Sequence, residues 1–268
     1  SAASDVYKRQ ITLMGTVHNN NSTGKRAIIV GATSGIGYEV AKILYSEGWI
    51  IGLAGRREEN LIHIRKELGE KNIFIKTIDI RKDEAEELLY ELIRETGGMD
   101  LYFHSSGIGH QNYSLQKEIE INTVATNGVG FTRMVGAAYR YFKEHNNGNG
   151  HIAVISSIAG TKGLGAAPAY SATKRFQNIY IDALEQLCHI NNEKISFTDI
   201  RPGFVGTGLL NDGKNYPMLM KADNVAKHIV SALNKKKRTV IIDWRYRVLV
   251  FFWKMIPGFI WKRMKVRN

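Results

Sequence analysis

Tyr170 and Lys174 stand four residues apart in "AYSATK", within a stretch of helical periodicity. Their side chains therefore share one helix face and can approach each other. An ammonium beside a phenol stabilises the phenolate and lowers a pKa that is normally ~10. A tyrosine tuned in this way can serve as acid or base near neutral pH. Ser157 lies thirteen residues before Tyr170, in "VISSIAG", at the carboxyl end of an apolar β-branched run. Open α/β sheets bind their ligands at that edge, so the position is suggestive of a ligand contact. Ser156 points to the opposite side of a continuing strand and reads as structural.

A second constellation is "GATSGIG", Gly31 to Gly37, between the β-branched run Ala27 to Val30 and apolar residues at helical spacing, Ile36, Val40, Ile43 and Leu44. Glycines there permit a tight turn and close approach of a pyrophosphate. The helix N-terminus adds N–H groups and a partial positive charge, and the pattern points to a dinucleotide. At the end of the next strand, "LAGRREE" offers Gly55 where NAD sites place a carboxylate, followed by Arg56 and Arg57. Guanidinium groups match a phosphate, so the expected cofactor is NADP(H).

The elements that must hold these groups alternate along the chain. Strand-like runs at "KRAIIV", "WIIGLAG", "NIFIKTIDI", "DLYFHSSG", "HIAVISS", "KISFTDIRPG" and "RTVIID" are separated by helical stretches, the longest being one helix around "KEIEINTVATNGVGFTRMVGAAYRYFKEH". Such alternation demands crossover connections and predicts a single α/β domain, a doubly wound, Rossmann-type parallel sheet of about seven strands with helices on both faces. No repeat or linker divides it.

In this order and spacing the residues resemble those of the short-chain dehydrogenase/reductase family, from about Lys25 to Asp243. The shared motifs are the glycine loop, Ser157, Tyr170-x-x-x-Lys174, and "RPGFVGT", which is similar to the family's Pro-Gly-x-x-x-Thr element at Pro202, Gly203 and Thr207. Asn122, in "EIEINTVAT", takes the place of the family's fourth catalytic residue. The resemblance implies that Tyr170 gives a proton to a carbonyl or removes one from an alcohol. Lys174 binds the nicotinamide ribose and lowers the Tyr170 pKa, Ser157 holds the substrate oxygen, and Asn122 positions a water linking Lys174 to solvent. It also implies cofactor contacts after successive strands. These are Gly31, Thr33, Ser34, Gly35, Ile36 and Gly37, then Arg56 and Arg57, then Asp79 and Ile80, with Asp79 on the adenine. Ser105, Ser106 and Gly107 follow, with Tyr170 and Lys174, and finally Pro202, Gly203, Val205 and Thr207. One departure stands out: the family's Asn-Asn-Ala-Gly is here His104-Ser105-Ser106-Gly107, and His104 reads as a buried, hydrogen-bonded structural residue. No metal-ligand cluster is visible, and the chemistry needs none.

The net charge of +12 is concentrated: residues 235–268 hold +10 of it, leaving a near-neutral body with no basic groove for nucleic acid. The tail "WRYRVLVFFWKMIPGFIWKRMKVRN", 244–268, is aromatic, aliphatic and basic, but a Pro-Gly break and short apolar runs argue against a membrane span. Two short pieces with a Pro-Gly break between them are expected. Three readings stand side by side: packing on its own domain or a partner subunit, an interfacial membrane anchor, and a lid on the substrate pocket. At the other end, "SAASDVYKRQ" back-translates to a transposon-based sequencing adapter, so residues 1–10 read as non-native, with Met14 as the native start and a flexible stretch to residue 24. The single cysteine, Cys188, favours a reducing compartment and a place on an apolar helix face. No signal-peptide core is seen, and the expectation is a cytoplasmic protein, peripherally associated with membrane if the tail is an anchor.

Together these readings predict an NADP(H)-dependent oxidoreductase interconverting a ketone and a secondary alcohol. The apolar tail and the loop Phe204 to Met220 favour a lipophilic substrate, a steroid or bile acid, as in the hydroxysteroid dehydrogenases. The family resemblance implies a homo-oligomer, a dimer or tetramer. The alternatives are a 3-oxoacyl-thioester reductase and a non-catalytic NADP(H)-binding regulator.

Overall fold

Five residues, Arg26–Val30, form β1, an interior strand of the sheet in the computed structural model, which describes residues 24–145, 148–210 and 216–266. The expectations for residues 1–23 lie outside them. On β1, Ala27 and Ile29 enter one apolar core and Ile28 and Val30 the other, as the two-residue period of a strand requires. A strand buried on both faces belongs in the middle of a doubly covered parallel sheet.

The chain runs from β1 through α1 (Gly35–Ser46), β2 (Ile50–Gly55), α2 (Glu58–Leu68) and β3 (Ile73–Thr77) to one edge of the sheet. It continues through α3 (Ala85–Glu95) and returns to β4 (Leu101–His104), which pairs with the free side of β1. From there β5 (Asn149–Ile155), β6 (Lys194–Arg201) and β9 (Thr239–Ile241) extend the other half, giving the order β3-β2-β1-β4-β5-β6-β9. All of these pairings are parallel. Seven strands match the expectation. A two-stranded ribbon, β7 (Val205–Gly206) with β8 (Met220–Lys221), adds to it and closes the loop after β6.

One core lies under α1, α2 and α7 (Ala222–Asn234), the other under α3, α5 (Phe131–Glu144) and α6 (Pro168–Asn191). The expected single helix before β5 is instead broken. α4 (Lys117–Val124) passes into a π-helical turn, Ala125–Gly130, before α5. The turn lets Asn127 face inward and brings Gly130 against Ile80, where a Cβ would lie 2.8 Å from the isoleucine side chain. Helix α8 (Trp244–Met255), Pro257 and the short α9 (Gly258–Trp261) make up the tail, as two pieces with the break where expected. No helix among the described residues is long and apolar enough to cross a membrane.

Candidate active site

Because the strands are parallel, every loop that leaves a carboxyl end opens on the same edge. The chain reverses its lateral direction between β1 and β4, and there the loop after β1 meets the loop after β4. Gly31 has φ +90°, and a Cβ on it would lie 2.5 Å from the Ser106 nitrogen. A Cβ on Gly37 would lie 2.3 Å from the Gly31 carbonyl oxygen. Both positions are open to glycine alone, and what they leave is bare backbone at the start of α1, a cradle suited to a pyrophosphate. Ser34 occupies the N-cap position of α1 without a side-chain capping bond, and Ile36 lies in its first turn.

Arg57, at the N-cap of α2, folds back on that loop. Its Nη2 donates to Thr33 Oγ1 at 2.7 Å and to Ser34 Oγ at 2.8 Å. Two hydroxyls and a guanidinium thus gather beside Gly55, the last residue of β2. Arg56 lies near enough to Asp79 to lower its pKa, but the larger cause is Arg81, whose hydrogen bonds bring that carboxyl down to about 2. Ile80 is buried against Gly130. Ser105 extends the β-ladder through its N–H to the Val30 carbonyl, and Gly107 faces both Asn127 and Lys174. Pro202 accepts from the Ile158 N–H, Val205 is buried, and Thr207 comes within 3.0 Å of where a Gly35 Cβ would be.

The reactive groups converge from β5 and α6. Ser157 follows β5 and caps the 3-10 turn Ile158–Thr161, its Oγ accepting from the Ala159 N–H at 3.0 Å. Ser156 turns the other way, bonded to Asp199, which also takes Asn178 and Arg201. Pro168 opens α6, and the next turns carry Tyr170 and Lys174. Burial raises the Tyr170 phenol above its ordinary value, and a hydrogen bond with Ser157 pulls it partly back. In the cofactor-free fold Lys174 is not among the groups that set this shift. The ammonium lies 5.8 Å from the centre of the Tyr170 ring and is spent on the Ile155 carbonyl at 3.0 Å and Gln177 Oε1 at 3.1 Å. Burial brings Lys174 down from 10.5 to about 8, with Asp199 opposing the shift.

Asn122 does not join this cluster. It is exposed on α4 and accepts from Arg81 Nη1 at 3.0 Å. Asn127 stands in its place, fully buried, with Oδ1 accepting from the Ile108 N–H at 2.9 Å and Nδ2 donating to the Ile108 carbonyl at 2.7 Å and to Thr173 Oγ1 at 3.2 Å. Its backbone carbonyl accepts from Gln177 Nε2 at 2.9 Å, so an unbroken chain runs from Lys174 through Gln177 to Asn127. Gln177 escaped the motif reading altogether. Asn127 had a signal: Phe131, Met134, Val135 and Ala138 lie four, seven, eight and eleven residues on, all of them fully buried, so Asn127 belongs to the inward stripe.

His104 is buried and hydrogen-bonded to Tyr102, and burial and the Lys174 charge lower its pKa to about 3. It stays neutral and structural. Burial raises the Cys188 thiol to about 11, and no group of three or more potential metal ligands occurs among the described residues.

Comparisons with known proteins bear on the family and the fold. The chain is similar to dehydrogenase/reductase SDR family member 7B of Xenopus tropicalis, with 28% identity over 238 residues, 80% of this chain and 76% of that protein. It is similar to an uncharacterized oxidoreductase of Staphylococcus haemolyticus, with 30% identity over 217 residues, 79% of this chain and 92% of that one. Among solved structures, the alcohol dehydrogenase of the archaeon Thermococcus sibiricus complexed with 5-hydroxy-NADP aligns with a TM-score of 0.70 at 25% identity, over 81% of this chain and 95% of the other. A family model for the short chain dehydrogenases matches residues 25–215, spanning the glycine cradle, Ser157, Tyr170 and Lys174, and the chain belongs to that family.

Proposed function

We propose that this protein is an NADP(H)-dependent oxidoreductase interconverting a ketone and a secondary alcohol on a lipophilic substrate such as a steroid or bile acid. The observation that carries the reaction is the convergence of Ser157, Tyr170 and Lys174 at the carboxyl edge of the sheet, from two separate elements. The bare Gly31–Gly37 backbone fits a pyrophosphate, and the Arg57, Thr33 and Ser34 cluster fits a further phosphate, in the absence of a carboxylate at Gly55. An NADP analogue in the Thermococcus sibiricus enzyme supports the same preference. When bound, NADP(H) supplies the hydride.

The chain's own residues manage the oxygen and its proton. Ser157 donates to the substrate oxygen and holds it beside Tyr170. Burial keeps the Tyr170 phenol protonated, and it donates to the carbonyl as negative charge develops there. Lys174, largely an ammonium at neutral pH, would hold the nicotinamide ribose and stabilise the phenolate that remains. Gln177 fixes that ammonium in place and is itself held by the Asn127 carbonyl. In the direction of oxidation Tyr170 acts as the base.

A lipophilic substrate is favoured by the loop after β6, where the Phe204 and Tyr216 rings stand 4.8 Å apart and Met218 packs against the core. Exposed apolar residues on α4 and α6, among them Ile121, Val124, Phe176 and Ile179, support assembly into a homo-oligomer through those helices. The test is NADPH consumption against a panel of steroids, bile acids, acyl thioesters and simple ketones. Turnover of acyl thioesters alone would replace the lipophilic-ketone reading, and turnover of none would sink the enzyme assignment.

A further inference from the structure

Helix α8 is apolar on two opposite sides. Tyr246 and Val250 point inward and are buried, with Trp253 beside them against Trp261. At ~100° per residue, Trp244, Val248, Phe251, Phe252 and Met255 fall within an arc about 100° wide on the opposite side. Their exposure runs from 47% for Val248 to 68% for Trp244. Arg245 borders this outer stripe on one edge, and Arg247 and Lys254 border it on the other. Past Pro257 the pattern continues with exposed Phe259, Ile260 and Met264 among Lys262, Arg263 and Lys265. Residues 244–268 contain seven Lys or Arg and no Asp or Glu. Among the described residues, the only carboxylate paired with any of these cations is that of Asp243, with Arg245.

We propose that this outer face of α8 and α9 docks the protein on an anionic lipid bilayer. An apolar stripe rimmed by cations on both edges is what a helix lying in the headgroup plane presents, apolar groups toward the acyl chains and ammonium and guanidinium groups toward the phosphates. A second copy of this chain fits poorly, because an isologous contact would press seven cations against seven with no acid among them. Nucleic acid fits poorly as well, since the centre of the patch is aliphatic and aromatic with the charges at its rim. The inner face decides where the docked surface sits. The Tyr246 hydroxyl accepts from the Phe204 N–H at 3.0 Å and lies 3.1 Å from the Pro217 carbonyl, while Trp261 Nε1 donates to the Gly163 carbonyl at 2.8 Å and Lys162 Nζ to the Ile256 carbonyl at 2.9 Å. The tail therefore clasps the two segments that follow Ser157 and Pro202. On the reaction proposed above, a lipophilic substrate leaving the bilayer would enter beside the catalytic serine; docking itself does not depend on that reaction.

The test is sedimentation of the full chain with vesicles of phosphatidylcholine, with and without phosphatidylglycerol, at low and high salt. Binding is expected to the anionic vesicles, weakened at least about tenfold by high salt, by omission of phosphatidylglycerol, or by the combined change Phe251→Ser, Phe252→Ser and Met255→Ser. These three side chains are exposed, so the fold and the NADPH-linked turnover of a soluble ketone should persist in the variant and serve as its controls. A second variant, Arg247→Glu with Lys254→Glu, should lose anionic-vesicle binding in the same way. No sedimentation with the anionic vesicles, equal binding to both lipids, or unchanged binding in either variant overturns the proposal, whatever the enzyme assays give.

Discussion

Replacing Lys174 by methionine separates the charge of this residue from its packing. In the cofactor-free fold, burial holds the ammonium at about 8, against 10.5 when exposed. At ~1.36 kcal/mol per pKa unit, the folded wild type at pH 7 carries a penalty of about 3 kcal/mol for a buried charge. Between pH 8 and 10.5 the unfolded chain binds a proton that the folded chain does not, so wild-type stability rises with pH across that window. By pH 10 only about 1 kcal/mol of the penalty remains. Methionine has no such window. It also leaves the Ile155 carbonyl and Gln177 without their donor, a loss of about 1 kcal/mol for each bond that varies little with pH. The stability of Lys174→Met relative to wild type should therefore fall by about 2 to 3 kcal/mol between pH 7 and pH 10, whatever its absolute offset. Urea denaturation of both proteins at the two pH values, without cofactor, measures this difference, because every other titrating group is common to both. Parallel pH dependence in the two proteins would refute the claim that Lys174 is held as a desolvated ammonium.

Tyr170→Phe should lower turnover by about 10²- to 10⁴-fold while NADPH binding, followed by fluorescence titration, is retained. Arg57→Ala should weaken NADPH about 10- to 100-fold, the worth of charged hydrogen bonds to a phosphate, and leave NADH unchanged; equal losses for both would reject the phosphate site. Asn122→Ala should keep turnover and stability, within about 0.5 kcal/mol, whereas Asn127→Ala should cost about 2 to 3 kcal/mol in thermal or urea unfolding because the Ile108 N–H and carbonyl lose their partners. Gln177→Leu removes one of the two acceptors of the Lys174 ammonium, so the alkaline limb of the kcat profile, where the ammonium is lost, should move down by about one pH unit with substrate KM little changed.

The fold was readable because its strands are buried on both faces and its helices on one, two patterns that differ in sequence. The glycine loop was readable for a steric reason, since at Gly31 and Gly37 a side chain would collide with backbone. The asparagine was misread because type and neighbourhood do not decide between two residues five apart; helical phase does, and it places Asn127 with Phe131, Met134 and Val135 while Asn122 falls outside. The π-helical turn that completes this inward placement leaves no period of its own in the sequence. Gln177 was hidden for a different reason. A glutamine on a helix reads as solvated, and only the fold shows it buried between an ammonium and a carbonyl.

The tail illustrates where composition ends as a guide. Read along the chain, "VLVFFW" is uniformly apolar and cannot say which side chains face the protein. Tyr246 resolves it: its ring is fully buried while its hydroxyl meets the Phe204 N–H and the carbonyls of Pro217 and Met218, a set of partners available only at the loop after β6. Once that residue is pinned, the 3.6-residue period sends Val250 inward after it and Trp244, Val248 and Met255 outward, with no freedom left to rotate. The packing that makes the tail a structural part of the site is thus the same packing that turns its second apolar face, with its cations, to the outside. Domain packing and surface contact do not compete for this helix, because they use opposite sides of it.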